Sequence, residues 1–140
     1  MLNQTAEYGL RAAVHLASRE PEEWMRASEL AEAIGVPANY LSKILHQLAG
    51  AGILDSRRGR AGGFRLAVPA DRLTLAKVVS PFDALERYRG CVLGAAVCSD
   101  RTACAAHGRW KPLASSLMDF LKRTTVADVQ PSSARRRAKA

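Results

Sequence analysis

The chain has 140 residues, 48% of them apolar, and a net charge of +8. That length fits one compact domain with a further helix, and the apolar fraction is enough for a core. No apolar run approaches the roughly eighteen residues of a membrane span. The opening MLNQTAEYGLRAAVHLA has no basic leader region and carries Glu7 and Arg11. No secretory leader is therefore expected, and the expected location is the cytoplasm, with reduced thiols. An odd count of three cysteines also argues against a disulfide framework. The basic balance favours polyanionic partners, nucleic acid first and anionic membrane second. Half of the excess sits in residues 131–140, PSSARRRAKA, as Arg135, Arg136, Arg137 and Lys139; that segment is expected to be a disordered tail.

Apolar side chains at Ala6, Leu10, Ala13, Val14 and Ala17 predict a first helix over residues 3–18. Glu20-Pro21-Glu22-Glu23 breaks it. Residues 27–34 predict a short second helix with Leu30, Ala31 and Ile34 on one face, Ser28 as its N-cap and Gly35 as its stop. Pro37 suits the first position of a third helix. That helix runs to about Ala49, turns Leu41, Ile44, Leu45 and Leu48 inward, and ends at Gly50 and Gly52. Residues 53–56 and 64–66 flank a glycine-rich turn and predict a hairpin. Thr74 is a candidate N-cap for a short helix over 75–79, which Pro81 ends or kinks. Trp110, Leu113, Leu117, Phe120 and Leu121 recur at three and four and predict an amphipathic helix over 109–124.

Helix, short helix, glycine-containing turn, helix and hairpin is the order of a winged helix-turn-helix. The expected fold is mainly α with a small β-hairpin. A winged helix-turn-helix spans 1–82, a cysteine-containing loop 83–108, a long C-terminal helix and the segment after it 109–130, and the basic tail 131–140.

The outward face of the third helix carries Ala38, Asn39, Tyr40, Ser42, Lys43 and Gln47. These short or hydrogen-bonding side chains gather near the N-terminus, where a recognition helix meets base edges; the bland alternative is a solvated face. The hairpin tips the balance towards DNA. Arg57, Arg58, Arg60 and Arg65 surround a turn with Gly59, Gly62 and Gly63, and Asp55 is the one acid nearby. Glycine lets such a loop approach a duplex, and arginine supplies phosphate or minor-groove contacts. An acidic protein partner is the competing explanation. His15 and His46 read as surface or half-buried helix positions. An enzyme is disfavoured: there is no Ser/His/Asp set and no paired carboxylates, and RGRAGGF lacks the Lys-Ser/Thr end of a phosphate loop.

All three cysteines, Cys91, Cys98 and Cys104, fall in CVLGAAVCSDRTACAAH, which ends at His107. The spacings C-x6-C, C-x5-C and C-x2-H are wider than the tight knuckles typical of structural zinc. Wider loops suit a larger iron–sulfur core. Spacing alone leaves zinc, free thiols and iron–sulfur open.

The segments TAEYGLRAAVHLA, ASELAEAIGVPANYLSKILHQLAGAGIL and SRRGRAGGFRLAVPADRLTLAKVV, with the late cysteines, resemble the Rrf-type family of bacterial winged-helix regulators (IscR/NsrR-like). The resemblance covers roughly residues 2–130. It implies a transcriptional regulator that acts as a homodimer on a palindromic operator in double-stranded DNA, with the last long helix against its mate. It also implies an iron–sulfur cluster, 2Fe–2S ahead of 4Fe–4S, that senses nitric oxide, redox state or iron status. Cys91, Cys98 and Cys104 would be ligands, and His107 or Glu7 the fourth: His107 matches the histidine of IscR-like members, Glu7 the acidic ligand that NsrR-like members place on the first helix. The chain departs from the IscR-like pattern in having six rather than five residues between its first two cysteines. A cluster-free thiol switch or a zinc-containing regulator of the same fold is the alternative.

Overall fold

Residues 2–85 and 107–131 are described by a computed structural model. Cys91, Cys98, Cys104 and the basic tail lie outside the described residues. The first helix, α1 (Gln4–Ala17), starts at Asn3, whose Oδ1 accepts a hydrogen bond from the Ala6 amide at 2.8 Å. It buries Ala6, Gly9, Ala12, Ala13 and Leu16. A Cβ at Gly9 would stand 2.8 Å from the ring of Phe82, so the missing side chain is what lets Phe82 seat there.

The second helix, α2 (Ala27–Ile34), begins after Arg26, which caps it without a side-chain bond. The expected cap, Ser28, lies inside its first turn. The cause is upstream: Met25 exchanges two backbone hydrogen bonds with Phe64, at 3.0 and 2.7 Å, which holds the chain extended through Arg26. Gly35, at φ 70°, ends the helix in the left-handed conformation. Pro37 stands one residue before α3 (Ala38–Gly50) rather than at its first helical position. Its ψ is 130°, and its carbonyl accepts from the Leu41 amide at 3.0 Å.

The hairpin pairs β1 (Leu54–Arg57) with β2 (Gly63–Leu66) in antiparallel register, Leu54 opposite Leu66 and Arg57 opposite Gly63. Met25 adds an isolated bridge to Phe64 on the other side of β2. A 3-10 turn (Ala70–Arg72) leads to α4 (Leu75–Val79). Thr74 caps α4 as expected, its side chain accepting from the Lys77 amide at 3.3 Å, and the helix ends before Pro81. The last helix, α5 (His107–Arg123), begins two residues before its expected start and contains Pro112. After it the chain returns to the body. The Leu75 amide donates to the Thr124 carbonyl at 2.9 Å and the Val126 amide to the Leu73 carbonyl at 2.8 Å.

One core joins these elements. Leu30, Leu41, Ile44, Leu45, Leu48, Leu73, Val78 and Val126 are fully buried, each contributing about 1.5–3 kcal/mol by leaving water. The inward stripe of α3 is the one its spacing predicts. The stripe of α5 is different. Ala114, Met118 and Leu121 are buried, whereas Leu113 is 62% and Phe120 52% exposed. The expected single face of Trp110, Leu113, Leu117, Phe120 and Leu121 is thus split: Leu121 meets the body and Leu113 and Phe120 face away. The element order is that of a winged helix-turn-helix with a long C-terminal helix. Among the described residues no helix is long and apolar enough to cross a membrane.

Candidate nucleic-acid interface

The first turns of α3 stand clear of the core. Ala38, Asn39, Lys43 and Gln47 are exposed and Ser42 is half-buried. The free amides of this helix start add a weak positive pole suited to a phosphate. Tyr40 is different from its neighbours. Its hydroxyl lies 2.6 Å from Thr5 Oγ1, and its ring stands edge-on to Tyr8 at 5.7 Å between centroids. Gln4 Nε2 in turn donates to the Tyr8 hydroxyl at 2.8 Å. Arg11 lies 5.7 Å over the Tyr8 ring and donates to the Ile34 carbonyl. Tyr40 is therefore attached to α1 while its ring edge reaches the surface.

On the wing, Arg57, Arg58 and Arg60 are exposed. Gly59, at φ 100°, opens the turn. Two close approaches fix its shape: a Cβ at Gly62 would lie 2.1 Å from the Arg57 carbonyl oxygen, and one at Gly63 2.4 Å from that of Met25. The Arg26 guanidinium donates to the Arg60 carbonyl, tying the tip of the wing to the start of α2. Arg65 is held rather than free. It lies 4.2 Å over the Trp24 ring, 3.9 Å from the Asp55 carboxylate and 3.4 Å from the Glu22 carbonyl oxygen. Trp24, Arg26, Thr5 and Tyr8 have no counterpart in the sequence reading. Each acts through a few specific contacts, and such contacts leave no periodic trace.

Glu7 is exposed in the first turn of α1. Arg11, a candidate partner for it, turns to Ile34 and Tyr8 instead. The same helix start is fastened to the residues after α4. The Asn3 amide donates to Asp83 Oδ2 at 3.2 Å, and Asn3 Nδ2 donates to the Phe82 carbonyl at 2.7 Å. Asp83 itself is buried. The chain that leads into the cysteine segment thus departs from beside the Glu7 turn, and His107 is the first residue of α5. Among the described residues no group of three or more His, Cys, Asp or Glu side chains could hold a metal ion. His15 has a pKa below the ordinary imidazole value, chiefly because burial disfavours its charge and secondly through nearby Arg19. His46 packs edge-on to Phe64 at 5.3 Å.

Residues 2–132 match the Rrf2 family model, described as an iron-dependent transcriptional regulator. A relative in Mycobacterium tuberculosis is 35% identical over 129 residues, covering 91% of this chain and 80% of the relative. The HTH-type transcriptional regulator IscR of Vibrio campbellii is 27% identical over 128 residues, 91% of this chain and 76% of that protein. Among solved structures, CymR, the global cysteine regulator of B. subtilis, superposes with a TM-score of 0.78 at 20% identity, covering 92% of this chain and 95% of CymR. The order of elements, the exposed wing arginines and these matches lead to one conclusion: the chain belongs to the Rrf2 family and is a DNA-binding transcriptional regulator, not an enzyme.

Proposed function

We propose that the protein is a homodimeric regulator whose affinity for a palindromic operator is set by an iron–sulfur cluster. The observation that carries this reading is the fastening of the start of α1 to Phe82 and Asp83. It joins the chain entering the cysteine segment to a helix that also touches the recognition helix through Thr5 and Tyr40. The donor set fits such a cluster: three thiols, Cys91, Cys98 and Cys104, with the imidazole of His107 or the carboxylate of Glu7. When bound, the cluster supplies a centre that nitric oxide, oxidant or iron loss alters. An imidazole or carboxylate ligand is more labile than a thiolate and suits a site that changes state. The regulator responds only if its loaded and empty forms bind DNA with different affinities.

The DNA side of the reading uses Ala38, Asn39, Ser42 and Lys43 at base edges and Arg57, Arg58 and Arg60 at phosphates. The dimer side uses the outward stripe of α5, where Leu113 and Phe120 are bare; two-fold symmetry then matches two half-sites.

Anaerobic purification tests the cluster. The expected product is brown, with visible charge-transfer absorption and matching iron and sulfide. Its affinity for an operator selected from random duplexes changes when the iron is chelated. Separate Glu7→Ala and His107→Ala substitutions identify the fourth ligand by which of them alters the spectrum. A colourless protein that holds only zinc, or nothing, after anaerobic reconstitution overturns the cluster.

A further inference from the structure

The outer face of the wing carries an aromatic ring. The register pairs Asp55 with Arg65 and Arg57 with Gly63. Alternation along the strands therefore puts Asp55, Arg57, Gly63 and Arg65 on one face, and Leu54, Ser56, Phe64 and Leu66 on the other. The second face packs on the core through Leu54 and Phe64, both buried. The first would be bare in a two-stranded hairpin, but Trp24 lies against it. The Arg65 guanidinium is 4.2 Å and the Arg57 guanidinium 5.8 Å from the Trp24 ring.

Gly63 is the reason Trp24 can be there. A side chain at 63 would strike the Met25 carbonyl, so its absence admits the Met25 bridge and brings residue 24 alongside β2. The two arginines on the ring are not equivalent. Arg65 has the Asp55 carboxylate and the Glu22 carbonyl as further partners, and a third of its side chain is exposed (33%). Arg57 is exposed and sits near the outer limit of a cation–π contact, about 6 Å.

We propose that Trp24 is the positioning residue of the wing. It holds Arg65 as a fixture of the sheet and keeps Arg57 against its ring in the posture from which the guanidinium meets a phosphate. A parked arginine has already surrendered part of its rotamer freedom, so less is lost when it meets DNA. This rests on the reading of the wing as a phosphate-contacting element.

The experiment compares wild type with Trp24→Phe, Trp24→Ala and Arg57→Ala on a random-sequence duplex. It follows affinity, salt dependence and the two tryptophan indole N–H resonances, the Trp24 peak being the one missing from Trp24→Phe. Arg57→Ala is expected to lower the log–log salt slope by about one. Trp24→Ala is expected to weaken binding by about two- to tenfold, the cost of ordering one long side chain that the ring no longer holds. Trp24→Phe keeps a π face and is expected to stay within about twofold of wild type. Addition of duplex is expected to shift the Trp24 resonance in wild type but not in Arg57→Ala. If Arg57→Ala weakens binding while both Trp24 variants bind like wild type, the positioning role is overturned and the wing reading survives. If Arg57→Ala changes neither affinity nor slope, the wing reading itself falls, and the proposal with it. Should Trp24→Ala fail to fold, the resonance decides: a Trp24 peak unmoved by duplex in wild type overturns the proposal.

Discussion

The hydroxyl of Tyr40, in the first turn of α3, lies 2.6 Å from Oγ1 of Thr5 in the first turn of α1. A residue in the first turn of α3 is therefore also a strut between two helices. Removing its hydroxyl leaves the ring against Tyr8 and deletes one partly exposed hydrogen bond. Tyr40→Phe is expected to cost up to about 1 kcal/mol in chemical denaturation with affinity for random duplex unchanged. A loss of affinity without a loss of stability would show that the hydroxyl serves DNA instead.

Gly35, at the end of α2, and Gly63, in the wing, separate two kinds of cost. Gly35 has φ 70° with open space around its would-be Cβ, so Gly35→Ala is expected to cost about 1 kcal/mol, from the left-handed conformation alone. Gly63 combines φ 143° with a 2.4 Å approach to the Met25 carbonyl oxygen. Gly63→Ala is expected to be the worse substitution, by at least about 1 kcal/mol. Equal melting temperatures for the two variants would mean that the Met25 bridge yields freely.

Folding lowers the His15 pKa below its ordinary value of 6.5. Between the two values the unfolded chain binds more protons, so stability rises with pH across that window. The contribution is complete above 6.5 and is lost as the pH falls towards the folded-state value. Denaturation curves on either side of pH 6.5 are expected to show wild type losing more stability on acidification than His15→Gln. Parallel losses would rule out the burial effect.

The two stripes of α5 should respond differently to substitution. Met118 is 7% exposed against the body, and Met118→Ala is expected to cost about 2–5 kcal/mol of stability. Leu113→Lys combined with Phe120→Lys removes apolar surface that the body does not cover. It is expected to shift sedimentation from dimer to monomer while helix content is kept. A double variant that still sediments as a dimer would place the dimer contact elsewhere.

Much of this was legible in the residues, for a physical reason. Leu41, Ile44, Leu45 and Leu48 form one stripe with no rival, so spacing alone turned α3 the right way. On α5 two stripes run side by side, and the larger side chains suggested the outward one. Ala114 and Met118 take the inward position with Leu121, on the stripe of α5 that the body covers. Thr74 could be read as a cap because its bridge to Thr125 holds the chain extended at the very residue whose side chain accepts from the Lys77 amide. Ser28 could not, since the bridge at Met25 decides where α2 begins. Arg65 shows the limit most plainly: its charge is visible in the sequence, but the Trp24 ring beneath it is visible only in the fold. The cysteines and the side chain of His107 lie outside the described residues.

Val126, fully buried, has a consequence for how the molecule comes into being. During synthesis a domain completes its packing only once all of its core has emerged. Here the last piece of the core that Leu73 and Val78 share lies beyond the cysteine segment, and its amide is bonded to the Leu73 carbonyl. A nascent chain ending at Phe82 would hold α3 and the wing on an unfinished core. The ribosome must deliver all three thiols before the wing and α3 have a complete support, so the first and last parts of the chain mature as one unit.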